Sequence, residues 1–239
     1  MADYDSEVLR SRGATAAHAA DIDAGLRSYM LRVYNYMAGG VLLSAVVAYF
    51  AAASGLYMSI AQTPLIWVVM LAPLGMVFFL SFRIHKMSVG TAQISFWAFA
   101  ALMGLSLSYI LLAFTGASVV QVFLITSAMF GSLSLWGYTT KRDISGWGSF
   151  LFMGLIGIII AMIVNIFLAS SALQFAISVI GVLVFAGLTA YDTQQIKEMY
   201  DVNDDGTVSG RKAIMGALRL YLDFINLFIM LMQLFGNRE

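Results

Sequence analysis

Seven runs of about 20 apolar residues constrain this chain more than anything else in it, because one such run is the length of a helical bilayer crossing. They cover residues 33–53, 64–82, 89–114, 119–138, 147–168, 173–191 and 213–235. Each is continuously apolar rather than alternating, which argues against membrane strands. Lipid offers no partner for a backbone amide, so a spanning segment must satisfy its own hydrogen bonds, as a helix does. The expected fold class is therefore an all-α integral membrane protein with seven transmembrane helices. Composition agrees: 61% of the 239 residues are hydrophobic and 11% are charged, where a soluble domain carries about 25% charged residues.

Several function classes fall away at once. The chain has no cysteine, hence no disulfide, thiolate metal site or cysteine nucleophile. It has no HExxH pattern, and its two histidines, His18 and His85, stand in a tail and a short loop. We expect no enzyme activity and no cofactor. The zero net charge gives no reason to expect nucleic acid as a partner. The bilayer itself is the first partner. Residues 1–28 carry five acidic side chains and no apolar core of a signal peptide. They read as a disordered cytoplasmic tail with a short helix near 14–24, ahead of a membrane domain at 29–239.

The connections alternate in charge. Those after spans one, three and five carry none. Arg10, Arg12, Arg27 and Arg32 precede span one, Arg83 and Lys86 follow span two, Lys141 and Arg142 follow span four, and Lys197, Arg211 and Lys212 flank the loop after span six. The positive-inside rule then places the N-terminus in the cytoplasm and the C-terminus outside, as an odd number of crossings also requires unless the seventh segment re-enters. A bacterial inner membrane fits.

Within the seven runs the formally charged residues are Arg219 and Asp223. An ionised aspartate at the bilayer centre costs ~2.5–3.5 kcal/mol on insertion scales. Arg219 and Asp223 are four apart and share a helix face, with Asn226 close to the same stripe and Gln233 further along. Such a stripe faces either a bundle interior or a water path; a self-neutralising pair with Arg219 snorkelling outward is the simpler alternative. A second carboxylate, Asp192, closes the uncharged run of span six in YDTQQI. By helix rise it lies ~7 Å deeper than Lys197, whereas Asp223 lies ~16 Å deeper than Lys212. Spacing alone does not bring them level; tilt, a longer sixth helix or a re-entrant seventh would. If they meet in a dry site they cannot both ionise cheaply, and one proton would be shared. Its loss would leave a repelling dianion that draws in water or a hard cation such as Ca²⁺.

YDTQQI at 191–196 together with LYLDFINLF at 220–228 resembles the Bax inhibitor-1 family, also called the transmembrane Bax inhibitor motif family, in its bacterial branch. The resemblance implies a last helix at the centre, wrapped by the other six. It implies a pH-sensitive calcium leak in which Asp192 and Asp223 form the proton-sharing gate and bind calcium transiently, calcium being the permeant ion. It also implies a basic partner for the first aspartate at the end of span two, for which Arg83 is the candidate. Arg219 and Asn226 are expected in support. One feature departs from that picture. DVNDDGTVSGRK at 201–212 reads like the first nine positions of an EF-hand, with Asp201, Asn203, Asp205, Thr207 and Ser209 as ligands. Position twelve is Lys212 in place of a bidentate glutamate, so the loop is at most a weak calcium site and more simply a polar turn. Two other functions stay open: a proton-coupled carrier, and a regulator that binds other membrane proteins, among them stress-response partners or a membrane AAA protease, without transport.

Overall fold

The protein is described by a computed structural model that covers residues 2–238, with side chains described for 22–238. Its helices are α1 (Ala2–Ala53), α2 (Leu56–Ala61), α3 (Leu65–Arg83), α4 (Val89–Ala113), α5 (Gly116–Thr139), α6 (Trp147–Leu168), α7 (Ser171–Glu198) and α8 (Gly206–Phe235). All but α2 are long and apolar enough to cross a membrane. A 3-10 turn, Ile84–Lys86, links α3 to α4. Among the described residues there is no strand, only an isolated bridge between Phe114 and Arg238. The chain is thus an all-α protein of seven spans.

Local chemistry sets the helix starts. Ser88, Thr115, Ser170 and Asp205 each turn a side-chain oxygen onto an amide in the first turn of the following helix, which satisfies a donor the helix leaves unpaired. Pro64 stands just ahead of α3, and α3 continues past the buried Pro73. One expectation changes at the N-terminus. The tail predicted to be disordered is helical along its backbone and continuous with the first span. Its alanine-rich stretch 14–24 has high helix propensity, and a span already formed supplies the nucleus that an isolated short helix lacks.

The amphipathic helix is the central one. In its most apolar stretch 72% of α8 lies inside the protein, against 11% for α6. Helices α1, α3, α4, α5 and α7 pack directly on α8, while α6 leans on α7 from outside. This arrangement inverts the soluble pattern. A helix as apolar as α6 can face lipid on nearly every side, whereas a helix with a polar stripe must turn it inward. Small residues let the wrap tighten. Gly104 of α4 lies on the Ser44 backbone of α1, and Gly137 of α5 on the Ala190 backbone of α7, so a methyl group at either glycine would meet main chain.

The register of α7 on α8 positions the site. Ile196 packs against Gly216, and Met230 against Gly181. The helices therefore run antiparallel, with the first two turns of α8 projecting beyond the end of α7 and residues 199–205 leading down from the end of α7 to the start of α8. Going up one turn of α7 from Ile196 reaches Asp192. Going up two turns of α8 from Gly216 reaches Asp223.

Candidate functional site

That register cuts the mismatch in depth to about one turn, ~4.5 Å, and because side chains lean toward the N-terminus of their own helix, those of Asp192 and Asp223 converge across it. Lys197 and Lys212 are not at one level, so they cannot serve as a common ruler. Lys197 donates to the Tyr138 carbonyl at the end of α5, 2.9 Å away. Lys212 lies lower, on the projecting part of α8, and pairs with Asp204 at 2.5 Å. With α7 extended to Glu198, as QQIKEM allows, the carboxyl groups of Asp192 and Asp223 come close enough to act on each other.

Asp223 is 5% exposed and Asp192 is half-buried. Two carboxylates can only accept, so a hydrogen bond between them would require a proton. Asp223 Oδ2 is sealed from solvent and has no hydrogen-bond partner. A buried acceptor left without a donor costs ~1–3 kcal/mol, more if charged. Arg219, one turn before Asp223, acts electrostatically on both carboxyls. It does not close on either as an ion pair, since Lys212–Asp204 is the one ion pair among the described residues. The self-neutralising Arg219–Asp223 pair is therefore replaced by an acid–acid pair in the field of an arginine.

Other expected partners stand elsewhere. Arg83 is exposed at the end of α3, a helix that packs on α4 and α8, and it forms no ion pair among the described residues. The cation beside the aspartates is Arg219, on the central helix. Asn226 spends its amide on its own helix, Nδ2 donating to the Leu222 carbonyl at 2.8 Å. Gln233 accepts from Arg238 at 3.1 Å, near the C-terminus.

The EF-hand-like ligands are not assembled. Asp201 Oδ1 accepts from the backbone amide and the side-chain amide of Asn203, at 2.9 and 3.0 Å. Asp205 Oδ1 takes the Val208 amide at 2.7 Å. Thr207 and Ser209 are already inside α8. The Asp205–Gly206 step that imitates a calcium loop is a helix N-cap, and capping has won. No cluster of three or more acidic, histidine or cysteine side chains suited to a metal occurs among the described residues. The aspartate pair alone offers about four carboxylate oxygens, fewer than the 6–8 ligands of a resident Ca²⁺.

Sequence reading passed over the hydroxyl groups around the pair. Tyr34 of α1 meets Ser134 of α5 at 2.7 Å, and Ser134 meets Thr193 of α7 at 2.9 Å. Thr193, the residue after Asp192, in turn donates to the Thr189 carbonyl at 2.7 Å. A second knot joins α1, α4 and α8: Ser44 Oγ donates to the Ala100 carbonyl at 2.6 Å and lies 2.6 Å from the Tyr221 hydroxyl. Tyr29, buried on α1 within electrostatic reach of Arg219 and Asp204, has a hydroxyl without a partner. Small polar residues inside apolar spans were the available signal.

The chain can be set beside known proteins. The family model described as "Inhibitor of apoptosis-promoting Bax1" matches residues 26–239. "Inner membrane protein YbhL" of Escherichia coli is 49% identical over 220 residues, 90% of this chain and 94% of that one. "Uncharacterized protein RP147" of Rickettsia prowazekii is 48% identical over 226 residues, 94% and 96% of the two chains. An uncharacterized protein of Caulobacter vibrioides is 44% identical and matches the whole of both.

Proposed function

This chain belongs to the Bax inhibitor family of membrane proteins, and on that footing we propose that it is a pH-sensitive calcium leak channel gated by the proton shared between Asp192 and Asp223. One observation carries the reading: two acids from α7 and α8 lie within reach of each other inside the bundle, and an oxygen of Asp223 has no hydrogen-bond partner. With the proton in place, the pair fastens α7 to the central helix. Without it, two like charges in a poorly hydrated site repel, and separation is rewarded by water and by a passing divalent cation. Calcium suits that role because it tolerates irregular oxygen coordination. The site then switches between a closed, protonated state and a hydrated, cation-accepting one.

We place the protein in the bacterial inner membrane, where its relative YbhL is named. The N-terminus is then cytoplasmic and the C-terminus outside, as the loop cations indicate.

The test is calcium efflux from liposomes loaded with Ca²⁺ and carrying the purified protein, followed between pH ~6 and ~8. Downhill flux should rise with pH, and Asp223→Asn should remove the pH response while leaving the protein folded. His85→Gln, outside the aspartate pair, is the control and should keep the response. Flux that saturates and requires a counter-ion gradient would mark a carrier instead. A well-folded protein with no flux at any pH would defeat the channel reading and favour a regulator of other membrane proteins.

A further inference from the structure

Helices α1 and α5 flank a seam bridged by the Tyr34–Ser134 hydrogen bond, with α8 packed against both helices behind it. At the end of the seam where α1 enters the bundle lies a cavity of about 610 Å³, whose walls include Arg27, Leu31, Tyr34, Gly131, Ser134 and Tyr138. Pockets that hold small molecules run from about 300 to 1,000 Å³. Gly131 opens this one, since the space a Cβ would enter there is empty. The walls are mostly apolar, and Leu31 and Leu135 remain about half exposed or more at 52% and 63%.

Arg27 is the one charged side chain on the walls of this cavity. Arg27 is exposed and makes no ion pair among the described residues, although Asp23 stands one turn away. Lys141 and Arg142 follow Tyr138 by three and four residues and are exposed. Lys197 holds the Tyr138 carbonyl and lies 5.4 Å from its ring centre. Nearby Asp143 is turned onto the Ser145 amide, and Glu198 accepts from Gln195. A second cavity further along the seam, about 260 Å³ between α1, α4, α5 and α8, has no charged side chain on its walls. Of these two cavities the first has a charged side chain, Arg27, on its wall and the second has none.

We propose that this first cavity binds one anionic phospholipid of the surrounding bilayer, its phosphate on Arg27 and an acyl chain in the recess left by Gly131. An apolar slot open to the membrane takes a chain by burial. A cation at the interface selects an anionic headgroup over a zwitterionic one, and one basic residue near the surface is worth about a fivefold preference. Neither Arg27 nor Gly131 belongs to the aspartate pair, so this site stands or falls independently of the channel reading.

The test uses the full chain in mixed micelles with phosphatidylglycerol and phosphatidylcholine of identical acyl chains, reading retained lipid by native mass spectrometry. The wild-type protein should hold one phosphatidylglycerol preferentially. Arg27→Gln should reduce that preference about fivefold while a lipid is still retained. Gly131→Leu should lose the bound lipid altogether, with its helical circular dichroism unchanged. Equal retention of the two lipids by the wild type would overturn the proposal. So would a phosphatidylglycerol preference that survives both substitutions.

Discussion

Asp192 and Asp223 on one side, and Asp201 and Asp205 on the other, are acids of the same two helices and the loop between them, yet they meet opposite fates. In the loop each carboxylate has its amide donors ready: Asn203 for Asp201, Val208 for Asp205. Within the bundle, Asp223 has a carboxyl of the same sign and an oxygen with no donor. A carboxylate satisfied by main-chain amides is held as an anion and shapes a turn. A carboxyl whose partner is another carboxyl stays balanced between two protonation states. The loop looks more like a calcium motif in the sequence, but the pair is the site with unfinished chemistry.

The sharpest break of that comparison exchanges the two roles. Asp192→Asn should remove the pH response of calcium flux, and Asp201→Asn should leave it intact, both read in the same liposome assay. If Asp201→Asn alters the response as strongly as Asp192→Asn, the loop is part of the gate and the distinction fails. A second experiment asks what the loop is for. Asp205→Ala removes the N-cap of the central helix and should cost about 1 kcal/mol, seen as a lowered midpoint of thermal unfolding in detergent. Calcium should leave that midpoint unchanged in the wild type, since the ligands are spent on the turn. A calcium-dependent rise abolished by Asp205→Ala would restore the EF-hand reading.

Much of this was legible in the sequence because hydropathy decides it. Span 147–168 matches α6 end to end, and the other spans differ by a few residues or by extensions beyond the apolar run. Asp192 and Asp223 could be singled out because a charge in an apolar run has few uses. Their meeting could not be derived from depth. The lysines used as rulers sit on helices that overshoot one another, and the overshoot depends on close packing at Gly216 and Gly181. Arg219 was visible by its four-residue spacing, whereas Arg83 was placed by resemblance and lies exposed on a peripheral helix. Asn226 shared the stripe by geometry but satisfies its own helix. The loop misled because an Asp–Gly step begins both a helix and a calcium turn.

A smaller effect is expected from the ion pair beneath the site. Lys212 and Asp204 close at 2.5 Å with side chains 29% and 14% exposed. Partly solvated pairs of this kind contribute about 0–1 kcal/mol. Lys212→Met should therefore shift the unfolding midpoint less than Asp205→Ala does, and leave the pH response of flux as it is. A larger shift for Lys212→Met would show that the pair, rather than the cap, fixes the start of α8.

The smallest effect concerns pH itself. Hydrogen bonds from the backbone amide and then the side chain of Asn203 hold the Asp201 carboxyl below the usual carboxylate range. Ser145 does the same for Asp143. A carboxyl lowered on folding lends the turn stability that is complete above its ordinary value of about 4 and is lost as pH falls through the lower folded value. Exchange of the Asn203 amide should thus be unaffected between pH ~6 and ~8 once intrinsic rates are corrected, and should accelerate only in strong acid. These exposed acids remain ionised across the window in which the buried pair is proposed to switch, so they cannot supply the response of the channel. An Asn203 amide that loosens near neutral pH in step with calcium flux would tie the loop to the gate and erase the contrast between the two acid pairs.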